Sequence, residues 1–165
     1  MTKRGAIYSS NFRALFKGVF LILSPLVSQA QTTLELLAPL DIPLFLSGNF
    51  GEFRGSHFHT GIDIKTQGKE GFPVLAAADG NVERIKVSPW GYGNTLYIKH
   101  GDGSSTVYAH LQRFNSEIQK WVKSRQYKAR VFSIDLTPDV DFNFSAGDTI
   151  GWSGNSGSSG GPHLH

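Results

Sequence analysis

The 165-residue chain contains no cysteine. Its core must therefore hold without disulfides, and a lipid-modified cysteine behind an export signal is excluded. Any metal site has to be built from histidine, carboxylates or water. Acid is also missing from the start: none occurs before Glu35, whereas Lys3, Arg4, Arg13 and Lys17 are basic. An unbroken apolar run of roughly 20 residues, the length a membrane-spanning helix needs, is absent as well. The best candidate, Gly18–Val27, covers ten positions and is interrupted by Pro25.

These absences combine into one expectation for residues 1–30. A basic start, a short apolar stretch and the small residues Ser28 and Ala30 around Gln29 predict a secretory signal peptide cut after Ala30. The mature chain is then expected in the periplasm or cell envelope, with no stable membrane span. The whole chain has 16 Lys+Arg against 13 Asp+Glu, and removing the four signal bases leaves 12 against 13, a net charge of −1. The basic character belongs to the export signal, so charge gives no reason to expect a nucleic-acid partner.

Residues 31–47 read as a lead-in, apolar but broken by Pro39 and Pro43. From 48 to 165 the pattern is mostly strand. The runs 72–78 and 81–87 are separated by Asp79-Gly80, which predicts a hairpin, and 95–100 and 105–110 by Gly101-Asp102-Gly103-Ser104, which predicts another. A further short strand lies within 148–154. Gly and Ser dominate 154–161 as in a surface loop, and Pro162 favours an extended ending. One segment differs: Asn115 is placed to cap a helix whose apolar face is Phe114, Ile118, Trp121 and Val122. Residues 113–142 read as a helical insertion or flap. No internal repeat is present. The expected fold class is all-β and antiparallel, with a short helical insertion.

Six histidines, at 57, 59, 100, 110, 163 and 165, all lie at strand ends or loop borders. In "HFHTGIDI" (57–64), strand alternation puts His57, His59, Gly61 and Asp63 on one face. Phe58, Ile62 and Ile64 share the other, which reads as the core face. On a straight strand His59 and Asp63 stand roughly 13 Å apart; a bend at Gly61 would bring them onto one ion. His163 and His165 likewise share a face, with Leu164 turned inward. Two imidazoles and a carboxylate suit a zinc site that keeps one position open for water, and spare histidines could move protons near neutrality. Spacing alone leaves open which histidine is ligand and which is base.

The segments "HFHTGIDI", "VLAAADGNV", "GYGNTLYIKHGDGSSTVYAHL" and "GNSGSSGGPHLH" together resemble the lysostaphin/LytM-type zinc metallopeptidases, the glycyl-glycine endopeptidase family. That family carries H-x-x-x-D, Y-x-H-L and H-x-H in this order, and the likeness covers roughly 48–165. It implies a β-sheet groove of the duplicated hybrid motif type, Zn2+ as cofactor, and the peptide cross-links of bacterial peptidoglycan as substrate. Carried over by position, His59, Asp63 and His165 are the implied metal ligands, and His110 and His163 the implied catalytic histidines. His57 and His100 match no role.

Further expectations follow from the resemblance. The segment 48–54 is implied to form part of the groove rim, where Arg54 reads either as steering a substrate carboxylate or as a surface arginine with no role; the glycines at 91, 93, 154, 157, 160 and 161 read, for most of them, as ordinary turn glycines or else as lining the groove. The insert is expected to cap one end of it. Insert-bearing relatives imply a directly cross-linked D-alanyl–diaminopimelate peptide as the bond cut. Because relatives continue past H-x-H, the chain reads as C-terminally truncated, with its third ligand on a terminus that frays by default. The competing class is a non-catalytic wall-binding or amidase-activating relative; such proteins have lost ligands that this chain keeps.

Overall fold

A computed structural model describes residues 34–55 and 57–165. The expected signal peptide over 1–30 lies outside the described residues. No helix among them is long and apolar enough to cross a membrane. The described elements are thirteen short strands and one helix. In chain order they are β1 (Leu46–Gly48), β2 (Phe53–Arg54), β3 (His57–Phe58), β4 (Asp63–Lys65), β5 (Pro73–Leu75), β6 (Gly80–Val87) and β7 (Asn94–His100). Then come β8 (Ser105–Leu111), β9 (Arg113–Phe114), α1 (Ser116–Ala129), β10 (Ile134–Leu136), β11 (Asn143–Phe144), β12 (Thr149–Trp152) and β13 (His163–Leu164). The fold is thus mostly antiparallel sheet with one short helix, in the class that the glycine and strand content implies.

The largest sheet runs β10-β6-β7-β8, with β11 joined to the start of β6. Its inward residues, Val82, Ile85 and Val87 from β6, Leu96 and Ile98 from β7, and Tyr108 and Leu111 from β8, are all buried. Each fully buried aliphatic side chain of this kind contributes about 1.5–3 kcal/mol of burial free energy. A second sheet, β1-β4-β13, joins the early part of the domain to its end, and a third, β5-β12-β9, closes the core from another side. Leu40, from the expected lead-in, is also buried in this core.

Two local expectations are overturned by which sheet a strand joins. Asp79-Gly80 does not close a hairpin: β5 pairs with β12, whereas β6 pairs with β7. The turn instead carries the chain from one sheet to another. The assignment of Phe58 and Ile62 to the core also fails, since both are exposed while Ile64 is buried. The reason is that 57–64 is not one strand. β3 pairs with β2, and β4 pairs with β1 and β13, so alternation cannot be carried across the break. By contrast, the turn at Gly101–Ser104 does join β7 to β8, with the His100 N–H donating to the Ser104 carbonyl at 2.9 Å.

The helical segment is anchored to the core. Asn115 caps α1 by accepting from the Ile118 N–H at 3.0 Å. Phe114, Ile118 and Val122 sink into the core, and Trp121 packs edge-on against Phe142. β10 and β11 add to β6, on the side of the sheet away from β8. Because Ile118 is fully buried, Ile118→Ala is expected to cost about 2–5 kcal/mol in denaturant unfolding. A dispensable flap would instead give a change near zero.

Candidate metal centre

β4 lies at the centre of its sheet, and Asp63 is its first residue. β13 runs beside it with Leu164 opposite Ile64, and both of those apolar side chains are buried. That pairing turns His163 and His165 to the side away from the core. On the other flank, the chain bends at Gly61, and the bend folds His59 back over Asp63. His59 Nε2 comes within 3.2 Å of Asp63 Oδ1. His165 Nδ1 lies 2.9 Å from the same oxygen and 2.9 Å from His59 Nε2. His163 Nε2 is 3.5 Å from Asp63 Oδ1. His59 and Asp63 are each only 4% exposed.

The outer partners set the tautomers. The Nδ1–H of His59 donates to the Asn49 carbonyl at 2.9 Å, that of His163 to the Gly161 carbonyl at 2.8 Å, and that of His110 to the Ser156 carbonyl at 2.8 Å. Each ring therefore offers an unprotonated Nε2 in its neutral form. Burial alone would raise Asp63, but hydrogen bonds from Arg54 and His165 outweigh it, and the carboxyl sits below its ordinary value. Burial also lowers His165, with the Asp63 contact opposing, and lowers His110, with the Ser156 bond opposing. Three acceptor atoms thus crowd together with at most one proton, on His165, to share. A cation would satisfy all three at once, and a donor set of two nitrogens and one oxygen suits zinc. His59, Asp63 and His165 accordingly form the metal-capable cluster among the described residues.

His110 reaches the cluster by an irregularity in its strand. Leu96 pairs with Tyr108 and Asn94 with Leu111, so β8 carries one extra residue there. His110 takes up the bulge with φ of 56°, in the left-handed region. A non-glycine residue in that conformation costs on the order of 1–3 kcal/mol and persists only where its surroundings enforce it. The bulge re-aims the ring, which lies 4.7 Å from that of His163 between centroids. His57 is exposed on β3 and gives no atom to the cluster. His100 is buried on β7, bonded to the Asp79 carbonyl and the Thr106 hydroxyl, and gives no atom to the cluster. The His165 carbonyl accepts the Ala109 N–H at 2.8 Å.

The model of peptidase family M23 matches residues 57–144. A DD-carboxypeptidase/endopeptidase, Mpg, of Neisseria meningitidis serogroup B is 36% identical over 107 residues, covering 65% of this chain and 19% of the relative. The murein hydrolase activator NlpD of Salmonella dublin is 38% identical over 78 residues, 47% of this chain and 20% of the relative. This chain thus spans about a fifth of the length of those curated relatives. Among solved structures, the catalytic domain of the antimicrobial peptidase lysostaphin from Staphylococcus simulans superposes with a TM-score of 0.51 at 27% identity, over 73% of this chain and 74% of that one.

Two features of the site carry no signal in the sequence motifs. Tyr92 stacks on His165 with 4.8 Å between ring centroids, and its hydroxyl shares a 2.8 Å hydrogen bond with Thr60. The loop 154–161 docks on the turn before β7, where Ser156 Oγ accepts from the Asn94 N–H and donates to the Leu111 carbonyl. This docking places the Ser156 carbonyl that holds His110. It requires glycine at 93, where φ is +66° and a Cβ would lie 2.4 Å from Ser156. Gly93→Ala is expected to lower stability by at least about 2 kcal/mol, read as a drop in the unfolding midpoint.

Proposed function

The chain belongs to peptidase family M23, and on that footing we propose that it hydrolyses peptide cross-links of bacterial peptidoglycan, using Zn2+ held by His59, Asp63 and His165. The observation that carries this reading is the packing of those three ligand atoms within 2.9–3.2 Å of one another, beside two further imidazoles. Zinc, when bound, would acidify a water and polarise the scissile carbonyl.

The catalytic work of the chain itself falls to His110 and His163. With Nδ1 tied to a backbone carbonyl, each keeps Nε2 for the reaction. Addition of water to the carbonyl carbon releases a proton, which one of these imidazoles accepts. Breaking the C–N bond then needs a proton on the departing amine, and the same pair returns it. While the proton resides on Nε2, that imidazolium can donate it as a hydrogen bond to the developing oxyanion. The bond cut is taken to be a directly cross-linked D-alanyl–diaminopimelate peptide, reached after export to the periplasm or cell envelope. The relative named as a DD-carboxypeptidase/endopeptidase supports that substrate class.

A second reading is favoured by the relative named as a murein hydrolase activator. On that reading the domain binds wall or enzyme without turnover. Two measurements separate them. Purified chain incubated with sacculi is expected to release muropeptides, identified by mass spectrometry, and to stop when chelated. His110→Ala is expected to retain one zinc per chain while losing about 10²–10⁴ in kcat; an activator would show no release in either form.

The pH profile follows from burial. The fold favours neutral His110 and holds it below the ordinary histidine value, which is about 6.5. The base form is therefore present above the lowered pKa and lost as pH falls through it. The acid limb of kcat/KM is expected below pH ~6.5, and a limb well above that value would remove His110 from the role of base.

A further inference from the structure

We propose that Arg54 is a positioning residue of the metal centre. Its guanidinium holds Asp63 so that a single oxygen faces the ion, and the inference rests on the zinc reading above. The two carboxylate oxygens of Asp63 are in different surroundings. Oδ1 faces His165, His59 and His163 at 2.9, 3.2 and 3.5 Å. Oδ2 is taken by Arg54 Nη2 at 2.5 Å. With that oxygen occupied, the carboxylate cannot turn to grip an ion through both oxygens, and its rotamer is fixed. Arg54 Nη2 is thus engaged by Asp63.

Arg54 is itself held. The Glu52 carboxylate lies 3.5 Å from its Nη2 and also accepts the Asn49 N–H at 3.2 Å. The Asn49 carbonyl in turn orients His59. The His59 N–H donates to the Glu52 carbonyl, and the Gly51 N–H to the His59 carbonyl, both at 2.8 Å. One short segment, 48–54, thus supplies the outer contacts of both early ligands.

Gly48 shows that the space for the guanidinium is built in. It pairs with Asp63 in the sheet, and a Cβ there would fall 2.1 Å from Arg54 Nη2 and 2.6 Å from Asp63 Oδ2. Its backbone is not in the left-handed region, but alanine at 48 would require both the tip of Arg54 and the Asp63 carboxylate to move.

The test is zinc affinity of the purified chain, measured by competition with a chromogenic chelator, alongside unfolding of the metal-free protein. Outer contacts of this kind typically govern 10–100-fold of metal affinity. Arg54→Ala is expected to weaken zinc binding by about 10–100-fold, and Arg54→Lys, which keeps the charge but loses the planar fork, to recover only part. In an Asp63→Ala background, Arg54→Ala should add nothing, because the group it positions is gone. A purely structural arginine would lower affinity equally in both backgrounds, and that result overturns the proposal. So does unchanged zinc affinity of Arg54→Ala with a raised KM, which would return Arg54 to the substrate. If Asp63→Ala binds zinc as tightly as the parent, the ligand assignment itself fails, and the role of Arg54 falls with it.

Discussion

Three lone-pair-bearing atoms, from His59, Asp63 and His165, sit about 3 Å apart where water has little access. Such an arrangement is unfavourable unless positive charge is shared among them. Much of the surrounding structure answers that constraint. Backbone carbonyls at Asn49, Gly161 and Ser156 fix the protons of three imidazoles on the outward side. A guanidinium neutralises the outer oxygen of the aspartate. What remains at the centre is an unshielded set of acceptors facing one point, the condition under which a cation is bound and its Lewis acidity retained.

The fold serves this point by bringing chain segments from both ends of the domain to adjacent strands. β4 supplies the carboxylate and β13 the paired imidazoles, and their cross-strand register puts Leu164 into the core while His163 and His165 face the cluster. The largest sheet contributes through a defect rather than through its regular ladder. One extra residue in β8 puts His110 in a left-handed conformation, held there by the Tyr92 carbonyl on its N–H and the Ser156 carbonyl on its ring. A strained residue beside a reactive centre is where such a cost is commonly tolerated. The helix buries its apolar face in the core, and β10 and β11 after it extend the β6 side of the same sheet.

Much of this was legible in order along the chain. The cap at Asn115 and the buried face of α1 follow from local pattern, because a helix closes its own hydrogen bonds within a few residues. The turn between β7 and β8 follows for the same reason. The strand-like ending at His163–Leu164 also matches, since Pro162 restricts the residue before it. Failures arose wherever a partner lay far away in sequence. Asp79-Gly80 looks like a hairpin until the partners of β5 and β6 are known. Phe58 and Ile62 look internal until the strand is seen to break between two sheets.

By itself the sequence determined the chemistry that was available: no thiol, six imidazoles, a carboxylate four residues from one of them, and an ordered set of motifs characteristic of a zinc peptidase family. Periodicity and capping determined the class of fold. Only the tertiary structure decided that the bend at Gly61 brings His59 Nε2 to 3.2 Å from Asp63 Oδ1, across a segment that would span roughly 13 Å if extended. It also decided that Arg54 pairs with Asp63, that Tyr92 stacks over His165, and that a bulge turns His110 inward. The physical reason is that residue type and spacing are local properties, whereas which groups share a volume depends on strand pairing between segments as much as about a hundred residues apart, and loop closure over such lengths is written in no local pattern.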